Sequence, residues 1–233
     1  MCEFDKSLFK GVMGDLIEGA VAFRQDEYKR DKYDMLGLAE AQHPEILMIG
    51  CSDSRVDPAL ICGANAGDIF SIRNVANLVP PYEFGSGRSR GYGVRAAIEY
   101  GVKALEVSHI VVFGHAHCGG IKAAIDTAAG HAPEFEFIGP WVAIAEQACK
   151  QEITDPVTGK KKPVSIGQLT DFAYLVERRS VLNSIENLKT YPWIKERIEA
   201  SELTLHGWWF DLESGDLWVT HPEKGHFLPV ETC

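Results

Sequence analysis

Two short apolar runs constrain this chain more than any other feature. "EILMIG" (45 to 50) and "HIVVFG" (109 to 114) are nearly continuous apolar stretches, the pattern of strands buried on both faces of a parallel sheet. Each is followed by a helix signal. After the first, Asp57 can cap a helix and Pro58 can take its first position, where a missing N–H costs nothing. After the second, "CGGIKAAI" opens another helix. A strand-turn-helix event that recurs predicts an α/β fold, a mainly parallel sheet flanked by helices.

The rest of the chain fits around that frame. "DIFSIR" (68 to 73) reads as a further strand, and a helix is expected over Val94 to Lys103. From Lys6 to Arg30, Leu8, Val12, Leu16, Ala20 and Phe23 recur at three- and four-residue steps, which predicts an N-terminal helical arm with one face to pack. The glycine-rich stretch 84 to 93 reads as a surface loop and does not match a phosphate-binding glycine pattern. Residues 155 to 163 read as a solvated turn, and Ser165 with Gln168 forms a capping box for the next helix. "LTLHGWWFDLESGDLWVT" (203 to 220) carries Ser214-Gly215 between two strand-like runs and predicts a C-terminal hairpin. At 233 residues the chain suits one domain, with a helical arm over 1–40 and an α/β core with a C-terminal extension over 41–233.

Charge and composition narrow the partners. A formal net charge of -10 disfavours a nucleic-acid surface, which needs concentrated Lys and Arg. No stretch approaches the roughly 20 apolar residues of a membrane span, and the N-terminal run, broken by Asp15 and Glu18, does not read as a secretory signal. A cytoplasmic protein with neither membrane nor nucleic-acid partners is expected. Six scattered cysteines suit reduced thiols or metal ligands better than a disulfide framework.

Open α/β sheets gather functional groups at the carboxyl ends of their strands, and here two strands end at soft ligands. The first delivers Cys51, and the second delivers His115 and Cys118, a Cys-His-Cys set that zinc accepts at catalytic sites with an open fourth position. A cysteine after a buried strand is commonly only a core residue. His117 competes with His115 for the role but would set the histidine beside Cys118. In "CSDSR", Asp53 and Arg55 stand two residues apart on an extended turn and can form a bidentate contact.

Taken together, "CSDSR", "GDIFSIRNVANLVPPY" and "HIVVFGHAHCGGIKAA" resemble the signature segments of the β-class carbonic anhydrases, over about residues 40 to 125. The resemblance implies one zinc ion per chain, held by Cys51, His115 and Cys118, and an Asp53–Arg55 catalytic dyad. It implies a lyase that hydrates carbon dioxide reversibly to bicarbonate and a proton through attack by zinc-bound hydroxide. Gln42, Phe70, Val75, Tyr100 and the Gly119 N–H then belong to the substrate pocket, while Arg73 and Asn74 organise the fold. In this family the pocket lies at a subunit interface, so a homodimer is the minimum unit and a tetramer the next assembly up. "VPPYEF" and Gln42 resemble the branch whose site stays open, with the aspartate off the metal. Three other readings share some of these residues: a hydrolase of a related linear substrate such as carbon disulfide, a non-catalytic zinc-binding or bicarbonate-sensing module, and a thiol redox protein. The last lacks a cysteine pair close in sequence.

Overall fold

The computed structural model describes residues 10–30, 32–83, 91–131, 134–154, 160–221 and 225–230. The chain divides into two compact units. One runs as far as His43 and takes in Asn65–Gly67; the other comprises Pro44–Ala64 and the chain from Asp68 onward.

The first unit is helical. Helix α1 (Val12–Phe23) continues through a wider π-helical turn, Arg24–Tyr28. Helix α2 (Met35–Glu40) starts at Asp34, whose side chain accepts a hydrogen bond from the Gly37 N–H. The periodic stripe appears from Val12 onward; residues 6 to 9 of the expected helix lie outside the described residues. Helix α1 buries none of its residues, and Val12 and Leu16 are among the exposed apolar side chains.

The second unit holds the sheet. In chain order its elements are β1 (Ile46–Cys51), α3 (Pro58–Cys62), β2 (Ile69–Asn74), α4 (Tyr92–Glu99), β3 (His109–His115), α5 (Gly119–Ala128), α6 (Ile138–Val142), β4 (Glu152–Thr154) and β5 (Lys161–Pro163). There follow α7 (Ile166–Asp171), α8 (Ala173–Leu188), α9 (Pro192–Glu199), β6 (Thr204–Phe210), β7 (Leu217–Thr220) and β8 (Phe227–Pro229). The main sheet has the order β2-β1-β3-β6-β7-β8. Its first four strands are parallel, and β7 and β8 add antiparallel. The mainly parallel sheet and the terminal hairpin are thus as expected, with β8 as an additional strand.

The apolar runs behave as their composition requires. Leu47, Met48 and Ile49 of β1 and Ile110 to Phe113 of β3 are all essentially inaccessible to solvent, each contributing about 1.5–3 kcal/mol of burial. On one face Leu47, Ile49, Ile110 and Val112 pack with Ile98 of α4, Val181, Ile185 and Leu188 of α8, and Ile194 of α9. The other face carries Met48, Val111 and Phe113. Helix α8 sits close to β3 because residue 114 is glycine: a Cβ there would come within 2.6 Å of Val181 Cγ2.

Two expectations need correction. Lys161–Pro163, read as part of a turn, is strand β5, paired antiparallel with Glu152–Thr154; exposed lysines carry no alternating apolar signal, so the pairing was invisible. The turn itself, 155 to 159, lies outside the described residues, as do residues 84–90 of the glycine-rich loop. The predicted helix to Lys103 is α4 followed by a π-helical turn, Tyr100–Ala104.

Candidate metal centre

Strands β1 and β3 are adjacent, parallel and in register, with Gly50 opposite Phe113. Their carboxyl ends therefore bring Cys51 and His115 together, and the turn after β3 returns Cys118 to the same point. The ligand atoms of Cys51, His115 and Cys118 all lie within 4.8 Å of one another, and all three residues are buried. Cys51 Sγ and Cys118 Sγ are 3.9 Å apart. The sequence conceals this close cysteine pair, but the imidazole nitrogen grouped with the two sulfurs points to a metal rather than to thiol exchange.

His115 Nδ1 lies 2.8 Å from the Ala116 carbonyl. A carbonyl only accepts, so Nδ1 carries the proton and Nε2 presents its lone pair. That Nε2 is buried and has no hydrogen-bond partner. Burial disfavours a charged ring, yet the adjacent Cys51 outweighs it and raises the His115 pKa; the same surroundings favour a cation. Sharing a proton with Cys118 pulls the Cys51 thiol down and, with burial, pushes Cys118 up. Two thiolates and an imidazole lone pair at this spacing fit a tetrahedral ion such as zinc.

The surrounding backbone is shaped to present the sulfurs. The Asp53 and Ala76 N–H groups donate to Cys51 Sγ at 3.4 and 3.3 Å. Cys118 occupies the N-cap of α5, where the helix dipole favours a negative sulfur. Its own N–H donates to Glu177 Oε1 at 3.2 Å, and Glu177 Oε2 accepts from Trp209 Nε1 at 3.2 Å. Burial pushes the Glu177 carboxyl up, while those two donors pull it back. Glu177 was not expected. The only signal for it was a charged residue inside the apolar stripe Val176, Val181, Ile185 and Leu188.

Asp53 and Arg55 form the bidentate pair that their spacing predicts. Arg55 Nε donates to Asp53 Oδ1 at 2.9 Å and Arg55 Nη2 to Oδ2 at 2.7 Å, with the Arg55 N–H adding a third bond to Oδ1 at 3.0 Å. These bonds hold the Asp53 carboxyl well below the usual carboxylate range. Asp53 Oδ2 is 4.0 Å from His115 Nε2, so the carboxylate borders the metal centre while engaged by Arg55. Arg55 also reaches the His117 carbonyl at 3.1 Å and so links the two ligand-bearing turns. The His117 side chain is exposed and bonds Glu213 at 2.8 Å, away from the ligand set.

Arg73 braces the first turn, donating to the carbonyls of Cys51, Asp53 and Val56 and to Asp57 Oδ2. Asn74 bonds the Leu78 N–H and carbonyl and closes the turn that contains Val75. Both arrangements are structural, as expected of these two residues. Within that turn Ala76 has φ 66 and Asn77 φ 48, left-handed conformations costly for side chains with a Cβ. Gly120 permits the close approach of α5: a Cβ there would lie 2.7 Å from Val75 Cγ1 and 2.8 Å from Ala76 Cβ.

Of the remaining predicted residues, Val75 and Gly119 adjoin the ligands, Val75 directly after Asn74, which pairs with Cys51. Trp141 Nε1 donates to the Val75 carbonyl at 2.8 Å, and Trp141 and Val75 border an apolar cleft of about 550 Å³. Phe70 and Tyr100 do not reach the metal centre of their own chain. Phe70 pairs with Leu47, four residues before Cys51, which puts it roughly 13 Å back along the strand. Its ring packs on Tyr100, with centroids 5.8 Å apart. Gln42 is exposed and belongs to the N-terminal unit.

Comparison with known proteins gives a consistent answer. A family model described as carbonic anhydrase matches residues 46–217. A carbonic anhydrase of Synechococcus elongatus is 36% identical over 223 residues, 95% of this chain and 76% of that protein. One from Pseudomonas aeruginosa is 34% identical over 203 residues, 87% of this chain and 85% of that protein. Among solved structures, the β-carbonic anhydrase CcaA superposes with a TM-score of 0.77 at 32% identity, covering 94% of this chain and 92% of that one. A tetrameric β-carbonic anhydrase of Sordaria macrospora gives a TM-score of 0.69 at 27% identity, covering 92% and 97%.

Proposed function

We propose, starting from the fact that this chain belongs to the β-class carbonic anhydrase family, an account of how its own residues hydrate carbon dioxide reversibly to bicarbonate and a proton. The enzyme is a zinc-dependent lyase, and Cys51, His115 and Cys118 are the residues that fit the ion. Bound there, zinc supplies a Lewis acid that makes water ionise near neutrality, an effect for which carbonic anhydrase is itself the standard illustration. The observation that carries this reading is the buried, unpartnered His115 Nε2 beside two sulfurs 3.9 Å apart, bordered by an aspartate already engaged by arginine.

Asp53 accepts a hydrogen bond from the nucleophilic oxygen and so aims a lone pair at the carbon of carbon dioxide. Its depressed pKa keeps it an acceptor throughout the working range, and Arg55 keeps it from swinging toward the ligands. The Gly119 N–H, in the first turn of α5, stabilises charge developing on the substrate oxygen. Val75 lines an apolar slot suited to a small uncharged substrate. Two thiolates offset the charge of the cation, and Arg55 offsets that of Asp53. A site so balanced does not retain bicarbonate by charge, and the product departs as water returns.

Phe70 and Tyr100 complete this slot from the partner subunit. Their distance from the metal centre of their own chain and the 50% exposure of Tyr100 support that assignment. The assembly is therefore a homo-oligomer, a dimer at least. We place it in the cytoplasm; among the described residues no helix is long and apolar enough to cross a membrane. Stopped-flow hydration of carbon dioxide tests the division of roles. Cys118→Ser should lose both zinc and activity, whereas Asp53→Asn should keep zinc and lose most activity. An Asp53→Asn enzyme as fast as wild type would overturn the role given to the dyad.

A further inference from the structure

The far end of β3 carries a second cluster of ligating atoms, one that the reaction does not use. His109 is the first residue of β3 and His115 the last, a separation of roughly 20 Å along the strand. In the parallel pairing of β3 with β6, His109 lies opposite Thr204 and Val111 opposite His206. Residues two apart on a strand share a face, so His109, Thr204 and His206 project together. His109 Nδ1 is 2.6 Å from Thr204 Oγ1, Thr204 Oγ1 is 3.0 Å from His206 Nε2, and the two ring nitrogens are 3.3 Å apart.

From this geometry we propose that His109 and His206, with Thr204 at the rim, form a second metal site that takes a divalent transition ion of the imidazole-binding kind, such as Ni2+ or Zn2+. Two nitrogens each about 2.1 Å from one ion, at tetrahedral to octahedral angles, are about 3.0–3.4 Å apart, and the observed separation falls in that range. The Thr204 hydroxyl, 2.6 and 3.0 Å from the two nitrogens, borders the pair at its rim. A hydrogen-bond chain can use the two histidine–threonine contacts, His109 Nδ1–H donating to Thr204 Oγ1 and the Thr204 O–H to His206 Nε2, but it leaves the 3.3 Å approach of the two ring nitrogens unused. Two N–H groups cannot face each other, whereas two lone pairs can share a cation. Burial, with His109 beside it, lowers the His206 pKa and so favours the neutral ring that can ligate.

The scaffold is rigid, since both histidines stand on strands locked in register. The site is also reachable, because both rings are only half-buried and Thr204 is exposed. This inference is independent of the reading of the catalytic centre.

The test is a Ni2+ titration of the zinc-loaded enzyme, followed by calorimetry and by the imidazole NMR signals. The expected result is one Ni2+ per chain beyond the zinc, with paramagnetic loss of the His109 and His206 signals first. That binding should disappear in His206→Gln and in His109→Gln while carbon dioxide hydration and the original zinc persist. Absence of Ni2+ binding to the wild type would overturn the proposal. So would Ni2+ that broadens His221 and His226 first and is lost in His226→Gln, because it would then belong to that other histidine pair, whose stacked rings are 6.0 Å apart.

Discussion

Replacing Gly120 by alanine separates two forces that act in opposite directions. Gly120 is the second residue of α5, and helix propensity alone favours alanine there by up to about 1 kcal/mol. The structure predicts the reverse. The new Cβ would lie 2.7 Å from Val75 Cγ1 and 2.8 Å from Ala76 Cβ, both well inside contact distance. Val75 can rotate, but Ala76 has no side-chain torsion to adjust, is fully buried and sits at φ 66 with its N–H on Cys51 Sγ. Relief must therefore come from the backbone that presents a metal ligand. Overpacking of this kind costs about 1–3 kcal/mol, which leaves a net destabilisation of about 0–2 kcal/mol after the full propensity gain of about 1 kcal/mol. Zinc should also be held less tightly. The matched control is Gly167→Ala, at the second position of α7, where a Cβ meets nothing within 4 Å. Urea unfolding of both variants at one protein concentration, with zinc loaded, measures the difference. Gly120→Ala stabilised as much as Gly167→Ala would refute the argument that close approach here governs the turn.

Three further outcomes follow from the same geometry. Glu177→Gln keeps the shape but sets an NH2 against one of the two N–H donors from Cys118 and Trp209; it should lose about 1–3 kcal/mol of stability in urea and release zinc faster to a chelator. Asp57→Ala removes the cap on the Ala59 and Leu60 N–H groups and the partner of Arg73, and thermal unfolding should show a loss of about 1 kcal/mol. His206 is held neutral in the fold, its pKa lowered by burial and by His109. The unfolded chain takes up the proton that the folded one resists, so this contribution to stability is present above about pH 6.5 and declines as the pH falls below it. Unfolding followed across that range should show a shallower decline in His206→Gln; an unchanged slope would count against the burial argument.

The ligand set was legible because each of its members ends a strand or begins a helix, and parallel register does the rest. Cys51 and Cys118 stand far apart in sequence, yet the pairing of β1 with β3 and the turn into α5 leave them 3.9 Å apart. The Asp53–Arg55 pair was legible because it is local. What the sequence withheld depends on packing between distant elements. Glu177 reaches the Cys118 N–H only because α8 crosses β3 at Gly114, where the missing Cβ admits Val181. The left-handed turn at Ala76 and Asn77 carries no glycine to announce it. Phe70 and Tyr100 have ordinary core and helix-face patterns, and only the pairing of Phe70 with Leu47 shows that they sit far back from their own metal centre.

The most direct test of the account is the rate of carbon dioxide hydration as zinc is returned stepwise to chelator-stripped enzyme. The account predicts activity that rises in proportion to bound zinc and levels off at one ion per chain, with no such rise in Cys118→Ser. Hydration that is already complete before zinc is added, or that never appears at full loading, would contradict it.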